Sequence, residues 1–146
     1  MSKILGLADI RDWIKTLKIT ADDKHYIGKL DNKKDESIGV YQLKTSNQAN
    51  VAIGGIDNTK IQEKSVSILI HWNTNAKETE QKSIELYNKF LESRNFIINE
   101  IKVNYIKLLV SEPVDVGTDE KNIYERVIQA IFYYEKKTIG DMSIEK

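Results

Sequence analysis

The chain has 146 residues, 30% of them charged, with 22 basic residues balanced by 22 acidic ones, one proline and no cysteine. That is the size of one domain, long enough to bury about 70% of its unfolded surface without staples, and it offers no disulfide, thiol nucleophile or zinc–thiolate centre. Net neutrality argues against a dedicated DNA binder, whose affinity comes largely from neutralising phosphates, and no apolar run approaches the roughly 20 residues of a membrane span.

The opening "MSKILGLADIRDW" carries acids too early for a signal peptide, so the protein is expected to stay in the cytosol where it is made. The same segment reads as a helix: Ile4, Leu7, Ile10, Ile14 and Leu17 recur at helical spacing, while Arg11, Asp12 and Lys15 take other faces. Trp13 lies beside this stripe, placed to anchor the helix to a sheet. Residues 25–43 read as a hairpin, with "HYIGKL" and "IGVYQL" as strands and "DNKKDES" as the turn, where Asp31 and Asn32 can bond nearby backbone. Residues 44–64 are polar except for Val51–Ile53 and contain the pair Gly54-Gly55. A connection of that length suggests a projecting loop or β-arm.

"SVSILIHWN" is the clearest strand, with Val66, Ile68, Ile70 and Trp72 on one face and Ser67, Leu69 and His71 on the other. Leu69 makes the second face partly apolar, which suits a central position. A second helix follows, with Asn75 as its cap and Glu78 in the capping-box position. Its stripe is Ile84, Tyr87 and Leu91, widened by Leu86 and Phe90, and Glu78–Lys82 and Glu85–Lys89 are favourable pairs on the wet face. "INEIKVNYIKLLV" is a strand that ends before Pro113, which cannot donate to a ladder. The last strand, "YERVIQAIFYYEK", puts Tyr124, Arg126, Ile128, Ala130, Phe132 and Tyr134 on one face; its β-branched and aromatic content favours strand over helix. The tail 137–146 is short and polar. The order implies an α+β domain over residues 1–136, with two helices packed on one antiparallel or mixed sheet.

Chemistry finds little support. His25 and His71 fall on separate strands, without another histidine or carboxylate at metal-ligand spacing. "AIGGID" lacks the phosphate-loop spacing and reads as a turn. "EPVDVGTDEKNIYERV", residues 112–127, gathers Asp115, Asp119 and Glu120 around Gly117, but the spacing is wrong for a calcium loop. It reads as a connection in which Pro113 ends one strand, Gly117 permits a reversal and the acids stay solvated. No metal, cofactor or catalytic residue is expected.

The runs "SILIHWNTNAKETEQKSIELYNKFL" and "YIKLLVSEPVDVGTDEKNIYERVIQAIFYYEK", with "HWN", "ETEQ", "EPVDVGTD" and "YERV" in order over residues 38–136, resemble the small minor capsid proteins of tailed bacteriophages and prophages. These in turn are similar to tail terminators. The resemblance implies a non-enzymatic structural protein of the virion, assembled in the host bacterial cytoplasm. It implies a hexameric ring of identical subunits that caps the tail tube, stops its polymerisation and meets the head–tail connector or stopper protein. DNA crosses the lumen without specific binding, which suits a neutral chain better than a basic one. On that reading Gly54, Gly55, Ile56, Asn58 and Lys60 in the arm are candidate subunit or tube contacts. Asp115, Asp119 and Glu120 are candidates for facing a neighbour, the tube or the lumen, with Arg126 as the ion-pair partner of a loop acid. Alternatives are a minor capsid or head-completion protein of the same neck region, a small enzyme using scattered acids, or a nucleic-acid-binding module using the Lys-rich turn 29–34.

Overall fold

The computed structural model describes residues 4–28, 35–43 and 61–138, without the side chains of 136–138. Two helices, α1 (Leu7–Thr16) and α2 (Ala76–Glu92), lie on one face of a seven-stranded mixed sheet. The strands are β1 (His25–Ile27), β2 (Ser37–Gln42), β3 (Ile61–His71), β4 (Arg94–Ile98), β5 (Ile101–Leu108), β6 (Val114–Thr118) and β7 (Tyr124–Thr138). Their order is β1-β2-β3-β7-β5-β4, with β6 also paired to β7. The expected α+β class, with two helices on a mixed sheet, is what the chain forms.

The long strand β7 is the spine. On one side it pairs antiparallel with β3 from Ile61↔Glu135 to His71↔Glu125. On the other side β5 and β6 lie end to end along it: β5 pairs with residues 130–138 and β6 with residues 124–127. The alternation read from the sequence holds, since Val66, Ile68 and Ile70 of β3 and Ile128, Ala130, Phe132 and Tyr134 of β7 all point into the core beneath the helices. α1 adds Ile10 and Ile14 to that core, and Trp13 does anchor it: its ring stacks on Phe96 (4.7 Å between centroids) and Phe90 (5.6 Å) and meets Phe132 edge-on (5.7 Å). Asp9 secures the start of α1 by accepting from Gly6 N–H (2.9 Å) through one oxygen and from Asn99 Nδ2 (2.8 Å) through the other.

Several expectations are corrected. Residues 25–43 are not a hairpin: β1 runs parallel to β2, with His25↔Ile38 and Ile27↔Val40 in register. Nine residues separate Ile27 from Ser37, too many for a two-residue hairpin loop and enough for the chain to enter β2 parallel to the three-residue β1. Strand β3 starts at Ile61, so residues 61–64 belong to the sheet rather than to an arm; residues 44–60 lie outside the described residues. Ile4 is exposed and Leu5 takes its place in the core, because extended backbone precedes the helix and helical spacing does not apply there.

Helix α2 is capped by Asn75, whose side chain accepts from Glu78 N–H (3.0 Å). Its buried face is Thr79, Ser83, Leu86 and Phe90, while Ile84 and Leu91 face outward. Small polar side chains near the sheet let the helix approach closely, and a stripe drawn from apolar residues alone is rotated away from them. Glu78 does not pair with Lys82. It turns inward and accepts from the Trp72 indole N–H (3.2 Å) and Asn73 Nδ2 (2.9 Å), and the ion pair on α2 is Lys82–Glu85 (3.4 Å). The apolar run after α2 is a hairpin of β4 and β5, turned at Asn99 and Glu100, both with positive φ as a tight hairpin turn requires.

Candidate functional site

The acidic stretch 112–127 is a β-hairpin. β5 stops at Leu108, and the link to β6 is fastened at three points: Leu109 N–H donates to Gln129 O (2.9 Å), Tyr87 Oη–H to Val110 O (2.7 Å), and Arg126 Nη1 to Pro113 O (3.2 Å). β6 then resumes the pairing with β7, broken by a register shift between Asp115 and Gly117. Gly117, at φ +95°, sits in that bulge and not at the reversal. Asp115 stabilises the bulge by accepting from Gly117 N–H (2.8 Å).

Asp119 makes the reversal. Its Oδ1 accepts from Lys121 N–H (2.8 Å) and Ile123 N–H (3.0 Å), while Asp119 N–H donates to Ile123 O (3.0 Å). Asn122, with φ 64°, closes the turn, and Ile123 is buried beneath it. The other oxygen of Asp119 points inward to His71, whose Nε2 is 3.7 Å away. On the opposite edge of the same ring, His71 Nδ1 lies 2.8 Å from Glu125 Oε2. The carboxylate accepts, so Nδ1 carries the proton. The imidazole is 1% exposed and stands between two carboxylates, one from the turn and one from β7. It ties the end of β3, the start of β7 and the hairpin turn together.

These positions divide the candidate acids. Asp115 and Glu120 are exposed, whereas Asp119 is 11% exposed at its side chain and is engaged within the chain. Arg126 meets an acid, but it is Glu80 of α2 (3.5 Å) rather than a loop acid, so the guanidinium bridges helix, link and spine. Gly54, Gly55, Ile56, Asn58 and Lys60 lie outside the described residues, as does most of the Lys-rich turn 29–34. Sequence reasoning missed Val114 and Val116, both exposed on β6, and the role of His71. The valines alternate with Asp115, a period-two signal that the surrounding acids obscured. The partners of His71 lie 48 and 54 positions away and become visible only with the β3–β7 register.

Among the described residues no three His, Asp or Glu side chains converge as a metal site, and the two carboxylates at His71 sit on opposite ring edges rather than around one point. No described helix is long and apolar enough to cross a membrane. The open face of the sheet carries the stacked rings of Tyr105 and Tyr133 (4.7 Å between centroids); burial, with Glu63 and Tyr105 nearby, raises the Tyr133 phenol above its ordinary value.

Two helices on a mixed sheet, with the polar side chains used to position a hairpin and apolar ones left on the surface, define a small α+β module. The chain belongs to the bacteriophage tail terminator protein family, whose model matches residues 4–136. That family has a structural role in phage tails, and the match extends the resemblance seen over residues 38–136 to the first helix. A comparison with curated proteins finds no match.

Proposed function

We propose that this protein closes into a ring of six identical subunits that caps the finished tail tube, stops its polymerisation and receives the head–tail connector or stopper protein. The observation that carries the reading is the family match, which spans both helices and nearly the whole sheet. A closed ring uses a heterologous contact, in which one patch meets a different patch on the next copy. It ends a polymer when one face fits the tube end and the other does not.

On this reading the protein is part of the virion neck, made and assembled in the host cytoplasm, and DNA passes its lumen without specific contact. Asp115 and Glu120 are contacts on the hairpin, and Gly54, Gly55, Ile56, Asn58 and Lys60 are contacts from the arm. Asp119 and Arg126 act behind them by holding the hairpin in place.

Native mass spectrometry of the purified protein, together with electron microscopy of tail tubes mixed with it, tests the proposal. A six-copy species and tubes bearing a cap at one end are expected. Monomers at every concentration beside uncapped tubes would rule it out.

A further inference from the structure

Two exposed apolar patches lie on different surfaces of the molecule, one on the face of the sheet turned away from the helices and the other on α2. The first is on the hairpin. Val114 faces the same side of the sheet as its partner Val127, away from the helices, and Val116 stands in the bulge with 51% of its surface exposed. Around them Glu112, Asp115 and Glu120 are exposed against one exposed cation, Lys121, and none of these acids has an ion pair among the described residues.

The second patch is the outward stripe of α2. Ile84 (40% exposed) and Leu91 (51%) lie on a flank of the helix turned away from the buried face Thr79, Ser83, Leu86 and Phe90. Lys77 is exposed one heptad before Ile84 on the same stripe, and Arg94 just beyond the end of the helix after Leu91; neither has an ion pair among the described residues. Of the nearby exposed acids, Glu80 is held by Arg126 and only Glu92 is unpaired.

We infer that the hairpin patch Val114/Val116 of one subunit docks on the α2 stripe Ile84/Leu91 of the next copy. Each patch offers two large aliphatic side chains, which contribute by leaving water together. The acidic rim of one meets the basic rim of the other, and that sign pattern fixes orientation and disfavours hairpin-to-hairpin contact. The patches differ, so the contact is head-to-tail, the kind that propagates into a closed ring. The His71 cluster has a place here, since it fixes the hairpin that carries the first patch. The inference rests on the ring reading and deepens it by naming the two faces.

The chain has no cysteine, so introduced thiols report without background. V116C and L91C are made separately, mixed under assembly conditions and treated with a short bis-maleimide linker, with native mass spectra taken in parallel. Covalent dimers are expected in the mixture, with at least tenfold less from either variant alone; the double variant should yield a ladder of multimers. A second pair of substitutions, E112K with E120K, should raise the concentration needed for assembly at least tenfold while leaving the melting temperature in place, since neither side chain has a bond within the described residues. Rings in the mass spectrum with no cross-link in the mixture would overturn this inference and leave the ring standing. Dimers from V116C alone would overturn it by showing a symmetric contact. A wild-type chain that never assembles removes the ring and this inference together.

Discussion

His71 Nδ1 and Glu125 Oε2 are 2.8 Å apart although 54 positions separate them in sequence, because β3 and β7 place the two residues directly opposite each other. The ring is nearly inaccessible to water, so its donor needs that acceptor. Glu125→Ala is expected to cost about 1–3 kcal/mol, the range for leaving a buried polar group without its partner, and Glu125→Gln less, because the amide oxygen still accepts. The loss should be local. Hydrogen exchange of the 119–124 amides should rise more than that of α1, and uniform acceleration across the chain would show that the contact does not act on the hairpin.

His25 makes the opposite demand. Burial, helped by the nearby charge of Lys15, lowers its pKa below the ordinary 6.5, against the raising effect of the Asp22 carbonyl hydrogen bond. Between the folded and unfolded values the unfolded chain binds more protons, so stability is whole above pH 6.5 and falls as pH drops through the lowered folded value. Urea midpoints measured from pH 7 downward should decline in the wild type and decline less in His25→Gln. Equal slopes in the two proteins would show that His25 does not contribute.

The parts of this fold that could be read from the sequence are those where one residue pattern has one meaning. β3 and β7 alternate cleanly because each buries one face, and Asn75 announces α2 because a cap bonds its own neighbours. The parts that could not be read depend on distant partners. β6 hides among acids, Gly117 and Pro113, all of which signal a turn. The parallel pairing of β1 with β2 has no local signature. The buried face of α2 includes Thr79 and Ser83, whose polarity conceals that they face the sheet. At the candidate site Asp115, Asp119 and Glu120 were visible as a group, but their division into two exposed acids and one structural acid depends on where His71 stands.

Trp13 is the joint between the two helices and the sheet, through its contacts with Phe90 of α2, Phe96 of β4 and Phe132 of β7. Trp13→Ala is expected to lose about 3 kcal/mol, the lower end of the range for a large buried aromatic, since the ring is only partly buried. Trp13→Phe keeps most of the stacking and should lose less than half as much. Thermal or chemical unfolding of the two variants checks this, and equal losses would mean that ring size rather than stacking sets the cost.

Gly117 tests whether the shape of the hairpin matters apart from its charge. At φ +95° it adopts a backbone conformation that a residue with a Cβ resists, yet a Cβ built there meets nothing within 4 Å. The penalty for Gly117→Ala is therefore conformational, about 1–2 kcal/mol, with no steric clash added. Substitution should relax the bulge, shift Val116 relative to Val114 and disturb the surface that β6 presents, while the core beneath β7 stays intact. On the proposed ring, the expected result is a small drop in melting temperature with a much larger loss of self-association by native mass spectrometry. Gly117→Asn, which tolerates positive φ better than alanine, should recover part of both. A variant that loses stability but assembles as well as the wild type would show that subunits meet through a surface other than this hairpin.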